Sequence, residues 1–130
     1  MITALIVDDE AASRNGLAKL LSEFVPEVKV LGKADSVFSA AEQIKALNPD
    51  IVFLDVEMPG KDGFDLISES APSDFEVIFT TAHEQYAIKA IKASAIDYLL
   101  KPINPNELIE AVRKVQEKKE PGNKKLETFI

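Results

Sequence analysis

The chain has no cysteine, one histidine and five glycines, and no apolar stretch near the ~20 residues needed to span a bilayer. Without cysteine there are no disulfides and no thiolate metal sites, which is compatible with a reducing compartment. The glycines never form a Gly-rich loop ending in Gly-Lys-Ser/Thr, so a P-loop nucleotide site is excluded. The first strand pattern begins within three residues of Met1 with no basic region ahead of it, so no signal peptide is expected and the expected location is cytoplasmic. Basic charge is also in short supply. Fifteen Lys and Arg against twenty-two Asp and Glu give a net charge of -7, which argues against nucleic-acid binding by this segment, because phosphate contacts need a basic face. An acidic excess instead suits carboxylates gathered around a cation.

What is present is an ordinary globular balance, 46% hydrophobic and 28% charged over 130 residues, enough for one domain with a real core. Short apolar runs alternate with helical repeats. Ala4-Leu5-Ile6-Val7, Ile51-Val52-Phe53-Leu54, the segment 76–80 and the segment 96–100 are rich in branched and aromatic residues, as strands buried on both faces of a parallel sheet are. Val28, Val30 and Leu31 form a weaker strand. Between the strands, Leu17, Leu20, Leu21 and Phe24 recur at helical spacing over 10–24, ahead of Pro26. Ser36 is placed to cap a helix burying Phe38, Ala41, Ile44 and Leu47 that ends at Asn48-Pro49. Pro59 to Gly63 reads as a turn before a short helix with Phe64, Leu66 and Ile67. Ala87, Ile88 and Ile91 mark the next helix. Asn104 as cap, Pro105 at the first helical position and Glu107 announce the last one, with Leu108, Ile109, Val112 and Val115 as its buried stripe and Pro121-Gly122-Asn123 as its stop. Five strand–helix units imply right-handed crossovers and a doubly wound α/β sheet.

The chemistry stands at the strand ends. The first strand runs into Asp8-Asp9-Glu10, the third into Asp55, the fourth into Thr80-Thr81 and the fifth into Lys101-Pro102. Ligands of open parallel sheets bind outside the carboxyl ends of the strands, so one edge gathers three carboxylates, a hydroxyl and an ammonium. Clustered carboxylates repel one another unless a cation sits among them. Asp8, Asp9 and Asp55 are hard oxygen donors without His or Cys support, which favours magnesium. Asp55, on the central strand, is placed as a carboxylate nucleophile that would form an acyl phosphate. Lys101 would approach a phosphoryl oxygen as a point charge and Thr81 would donate one hydrogen bond.

With Val7-Asp8-Asp9-Glu10, Leu54-Asp55-Val56-Glu57-Met58-Pro59-Gly60, Asp62-Gly63, Thr81-Ala82 and Tyr98-Leu99-Leu100-Lys101-Pro102, the chain resembles the receiver domain of two-component response regulators over residues 2–118. That resemblance implies a flavodoxin-like fold, (βα)5, with strand order 2-1-3-4-5. It implies Asp55 as phosphoacceptor and magnesium held by Asp8, Asp9, Asp55 and the backbone carbonyl of Glu57. Thr81 and Lys101 would contact the phosphoryl group, Tyr98 would be the aromatic switch, and the Lys101–Pro102 bond would be cis. A sensor histidine kinase would be the phosphoryl donor. The fourth helix, fifth strand and fifth helix would form the output face and a homodimer contact. The stretch Thr81-Ala82-His83-Glu84-Gln85-Tyr86-Ala87, with Ala90 and Asp97 to Pro102, is similar to receivers that precede LytTR-type (LytR/AlgR-like) DNA-binding domains. Residues 1–118 are then the receiver, 119–130 begin a linker, and any DNA contact belongs to an output domain beyond residue 130.

Simpler readings stand beside these. Tyr98 fits a half-buried strand aromatic, His83 a solvent-facing residue at a helix start, and Phe38, Phe53, Phe64, Phe75 and Phe79 fit core by spacing. Two other functional classes remain open at this stage: an aspartyl-phosphate phosphatase of haloacid-dehalogenase type, prompted by Asp55-Val56-Glu57 after a strand, and a receiver-shaped interaction module that is never phosphorylated. The phosphatase class places its nucleophile on the first strand and carries a cap domain. His83 and Glu57 sit two residues beyond Thr81 and Asp55, positions that in the receiver frame flank the phosphoryl group.

Overall fold

Each strand pattern finds its neighbours in a single parallel sheet. The computed structural model describes residues 1–58, 63–64, 66 and 75–119, with Ile91 by its backbone alone. The strands are β1 (Ile2–Val7), β2 (Val28–Ala34), β3 (Ile51–Asp55), β4 (Glu76–Thr81) and β5 (Asp97–Leu100). They form one sheet in the order β2-β1-β3-β4-β5, every pair parallel. The helices are α1 (Ala11–Phe24), α2 (Val37–Leu47), α3 (Ala87–Lys92) and α4 (Pro105–Lys118). Gly63, Phe64 and Leu66 are also helical; the turn at residues 59–62, Ile67 and the stop at Pro121 lie outside the described residues.

Successive strand residues point to opposite faces, and the two faces make two cores. Ile6, Phe53, Ile78 and Leu99 pack with Leu17 and Leu21 of α1 and with Leu108, Ala111, Val112 and Val115 of α4. Leu5, Val7, Val52, Leu54, Val77 and Phe79 pack with Val37 and Ala40 of α2, with Phe64 and Leu66, and with Ala90 of α3. The central strands have no polar face because both sides are covered, which is why they read as continuous apolar runs.

Several expectations are corrected. Phe38 is 75% exposed rather than buried: the buried stripe of α2 runs through Val37 and Ala40, and a residue one step along a helix points about 100° away. Ile88 of α3 (67% exposed), Phe24 at the end of α1 (45%) and Ile109 of α4 (39%) are likewise turned outward. Val37, Ala40 and Ala111 fill places the larger residues were expected to take. The second strand is longer than its apolar letters suggest. It continues to Ala34 through a register shift that pairs Ala4 with Val30 but Leu5 with Gly32, so Leu31 bulges. A single 3₁₀ turn, Glu84–Tyr86, precedes α3.

The helix caps follow the local signals. The Ser36 hydroxyl accepts from the Ser39 amide at 3.1 Å. Asn48 ends α2 in the left-handed conformation, φ 49°, which asparagine tolerates better than most residues. The Asn104 side chain accepts from the amides of Asn106 (2.8 Å) and Glu107 (3.4 Å). Asn104→Ala is expected to cost about 1 kcal/mol, read as a lower urea midpoint with an unchanged slope.

Candidate functional site

Among the described residues the buried polar side chains are Asp8, Asp55, Thr80 and Thr81, each 5% exposed or less. All four stand at the carboxyl edge of the sheet: Asp8 just after β1, Asp55 as the last residue of β3, Thr80 and Thr81 closing β4. Lys101 follows β5 on the same edge. Burying charge is costly unless it is paired, so this edge is where apolar burial gives way to chemistry.

Asp8 is held on every side. Its amide donates to the Ala34 carbonyl at 3.0 Å, its carbonyl accepts from Arg14 Nη1 at 2.7 Å, and its Oδ1 accepts from the Glu10 amide at 2.9 Å. Oδ2 accepts from Lys101 Nζ at 2.7 Å, while Lys101 stands 3.3 Å from Asp55 Oδ2. The ammonium therefore sits closer to Asp8 than to Asp55. Burial pushes the Asp8 carboxyl up, but hydrogen bonds from Lys101, the Glu10 amide and Ser13 outweigh it and hold the group below the usual aspartate range. Burial, aided by the neighbouring Asp8 charge and opposed by Lys101, pushes Asp55 up to about 6. The nearer ammonium is thus one cause of the lower Asp8 pKa. Lys101 itself is pushed down by burial, and the two carboxylates more than reverse this, so its pKa lies above that of an ordinary lysine.

Asp9 is exposed, yet it, Asp8 and Asp55 offer carboxylate oxygens that all lie within 4.8 Å of one another. An all-oxygen set of this kind fits a hard divalent cation. Gly63 packs on the backbone that carries Asp55: its amide donates to the Val56 carbonyl at 2.9 Å, and a Cβ there would stand 2.6 Å from the Asp55 carbonyl oxygen. Only glycine permits that approach without moving the backbone that carries Asp55.

The loops after β3 and β4 are built alike. The Glu57 amide donates to Asp55 Oδ1 and the His83 amide to Thr81 Oγ1, both at 3.1 Å. Each turn aims the residue two places on across the mouth of the pocket, where His83 Nε2 and Glu57 Oε1 meet at 3.0 Å. His83 was expected to be solvent-facing, and it is about half exposed, but it is engaged with Glu57 and lies edge-on to Tyr86, with ring centroids 6.3 Å apart. The equal offset of Glu57 and His83 from Asp55 and Thr81 was the available signal for this pair. Arg14 carried no such signal. Tyr98 is half-buried on β5, in register with Phe79, and lines a groove of about 280 Å3 with Asp97, Leu99, Asn106, Glu107 and Glu110. The Lys101 amide donates to the Thr81 carbonyl at 2.7 Å, and the Lys101–Pro102 peptide is cis. Among the described residues no helix is long and apolar enough to cross a membrane.

Known proteins resemble this chain in sequence and in fold. The family described as response regulator receiver domain matches residues 4–113. An uncharacterized response regulatory protein of Vibrio cholerae is 41% identical over 116 residues, covering 88% of this chain and 48% of the relative. The sensory transduction protein LytT of Bacillus cereus is 36% identical over 122 residues, 92% of this chain and 49% of the relative. The chain thus spans about half the length of these curated relatives. Among solved structures, the REC domain of AraT from Geobacillus stearothermophilus superposes with TM-score 0.79 at 35% identity, covering 94% of this chain and 98% of that one. The response regulator protein TrrA from Thermotoga maritima, solved in complex with magnesium and beryllofluoride, superposes with TM-score 0.78 at 32% identity over 88% of this chain and 99% of that one. Matched along most of its length in sequence and in backbone, this chain belongs to the response regulator receiver domain family.

Proposed function

We propose that the domain is a phosphorylation-controlled switch that accepts a phosphoryl group on Asp55. The observation that carries this reading is the pairing of a buried carboxylate with an ammonium 3.3 Å away, inside the acid cluster of a family of signalling switches. The donor is a phosphohistidine of a sensor histidine kinase. In the transfer the Asp55 oxygen forms the new P–O bond, the P–N bond breaks, and its electron pair leaves with the imidazole nitrogen. Lys101 is placed to meet the phosphoryl oxygens, and the Thr81 hydroxyl, whose oxygen already accepts the His83 amide, keeps its proton for donation. Asp8, Asp9, Asp55 and the Glu57 carbonyl would hold magnesium, which when bound offsets phosphoryl charge. A drawn-in Thr81 and a turning Tyr98 would then bias a pre-existing equilibrium of the face formed by α3, β5 and α4, which is also the proposed homodimer contact. Residues 1–118 are the receiver and 119–130 begin a linker. The greater length of LytT, and the likeness of this fold to a DNA-binding response regulator of the LuxR family from Staphylococcus aureus (TM-score 0.79, 28% identity, 88% of this chain and 98% of that one), support a DNA-binding output domain beyond it.

Incubation with magnesium and acetyl phosphate is expected to add one phosphoryl group per chain by intact mass, with no addition to Asp55→Asn. Unchanged labelling of Asp55→Asn would refute the acceptor assignment. Many turnovers of a phosphomonoester per site would favour a phosphatase instead.

A further inference from the structure

The apolar grip on α4 ends at Val115, its last buried residue. Beyond it the helix continues across the amino edge of the sheet, opposite the acid pocket. Three lysines of α4 and its cap, the first just before Val115, meet three acids along that edge in spatial order. Lys114 Nζ lies 3.0 Å from Asp97 Oδ2 at the start of β5, and Lys118 Nζ 2.9 Å from Glu76 Oε1 at the start of β4. Lys119 Nζ lies 2.9 Å from Asp50 Oδ1, just before β3. These are adjacent strands, so the lysines step along the sheet one strand at a time. The last acid is fixed before the lysine reaches it: Asp50 Oδ2 accepts from the Thr3 amide at 2.8 Å and the Thr3 hydroxyl at 3.0 Å. Cations in the last turn also suit the negative end of the helix dipole.

We propose that this lysine ladder anchors the end of α4 and fixes where, and in which direction, the chain leaves the domain. Single exposed ion pairs hold little, but residues 116–119 bury no apolar side chain and would fray if the ladder were absent. The three strands that carry the ladder acids carry Asp55, Thr81 and Lys101 at their other ends. The exit at Lys119 is therefore referenced directly to the strands of the pocket, in addition to the packing of α4 with α1. The anchor is electrostatic and partly exposed, so salt loosens it.

Hydrogen exchange of the 130-residue protein tests this at one exposed rung. Lys118→Glu and Glu76→Lys are each expected to speed exchange of the amides of residues 116–119 about fivefold, leaving the β3 amides at 51–55 unchanged. The double exchange Glu76→Lys with Lys118→Glu is expected to return them to within about twofold of wild type. In wild type, molar sodium chloride is expected to move exchange of residues 116–119 toward that of the single variants. Exchange indifferent to both single reversals would overturn the anchor. So would a double variant as fast as the singles, or a change shared equally by the β3 amides.

Discussion

Lys101→Met is expected to destabilise the metal-free protein by about 2–4 kcal/mol at pH 7.5, because breaking a buried ion pair leaves an uncompensated buried charge. The range is set below the largest known penalties because the lysine side chain is 21% exposed. Two carboxylates, Asp8 and Asp55, would be left facing each other with no cation between them. The pH dependence has a definite sign. Lys101 is charged throughout the neutral range and its folded pKa lies above 10.5, so its stabilisation is fully present below the usual lysine value and is lost only as the pH rises through the folded one. The deficit of the variant should therefore be largest near neutrality and shrink toward pH 5, where Asp55 takes up a proton and the repulsion disappears. In the background Asp55→Asn the cost of Lys101→Met should fall well below its value in wild type, since the two sites share one interaction. Urea denaturation of the four proteins at pH 5 and pH 7.5 measures this; equal costs in both backgrounds would show that Lys101 does not act through Asp55.

The second large effect has the opposite direction. Asp55→Asn is expected to stabilise the metal-free protein at pH 7.5 by about 1–3 kcal/mol. Raising the carboxyl from 3.8 to about 6 means that the folded state binds the proton more tightly than the unfolded chain does, and each unit is worth about 1.4 kcal/mol. Below pH 4 the carboxyl is neutral in both states, and the substitution should gain little. Between pH 4 and 6 the wild-type protein loses stability because the carboxyl ionises in the unfolded chain while the folded state keeps its proton, and above pH 6 the full difference stands. Asp8 runs the other way. Its depressed pKa contributes stability above the unfolded aspartate value that is lost as the pH falls through the folded one. The difference between the two melting curves reports Asp55 together with its repulsion of Asp8. Magnesium, by binding the folded state, should stabilise wild type more than Asp55→Asn and narrow the gap. Melting temperatures that coincide at pH 7.5 without magnesium would contradict the strained state assigned to this carboxylate.

Such a state has a functional meaning under the proposed reading. A carboxylate that is uncomfortable when ionised, beside a lysine already committed to Asp8, is relieved when a cation or a covalent group changes the charge around it. Stability sacrificed at a site of this kind is a common feature of functional pockets.

The strand positions and the composition of the pocket edge were legible before any coordinates. Continuous branched runs such as 51–54 have no alternative to two-sided burial, and the polar residue that ends each one breaks the apolar pattern. The Asn104-Pro105 start of α4 was equally clear, since capping is settled by neighbours in sequence. Helix faces were less clear. Phe38 was assigned to the core on hydrophobicity, but the small residues Val37 and Ala40 set which side of α2 meets the sheet, and phenylalanine does not override a stripe made by its neighbours.

What the letters alone determined was the alternation of elements, the identity of the acids, hydroxyl and ammonium at one edge, and the family they resemble, because these follow from period and local preference. Only the tertiary structure decided that Lys101 sits nearer Asp8 than Asp55, that Glu57 and His83 close across the pocket mouth, and that lysines of α4 meet Asp97, Glu76 and Asp50. Those are contacts between residues far apart in the chain, set by sheet register, helix orientation and the relative charge of competing partners, and no local pattern encodes them.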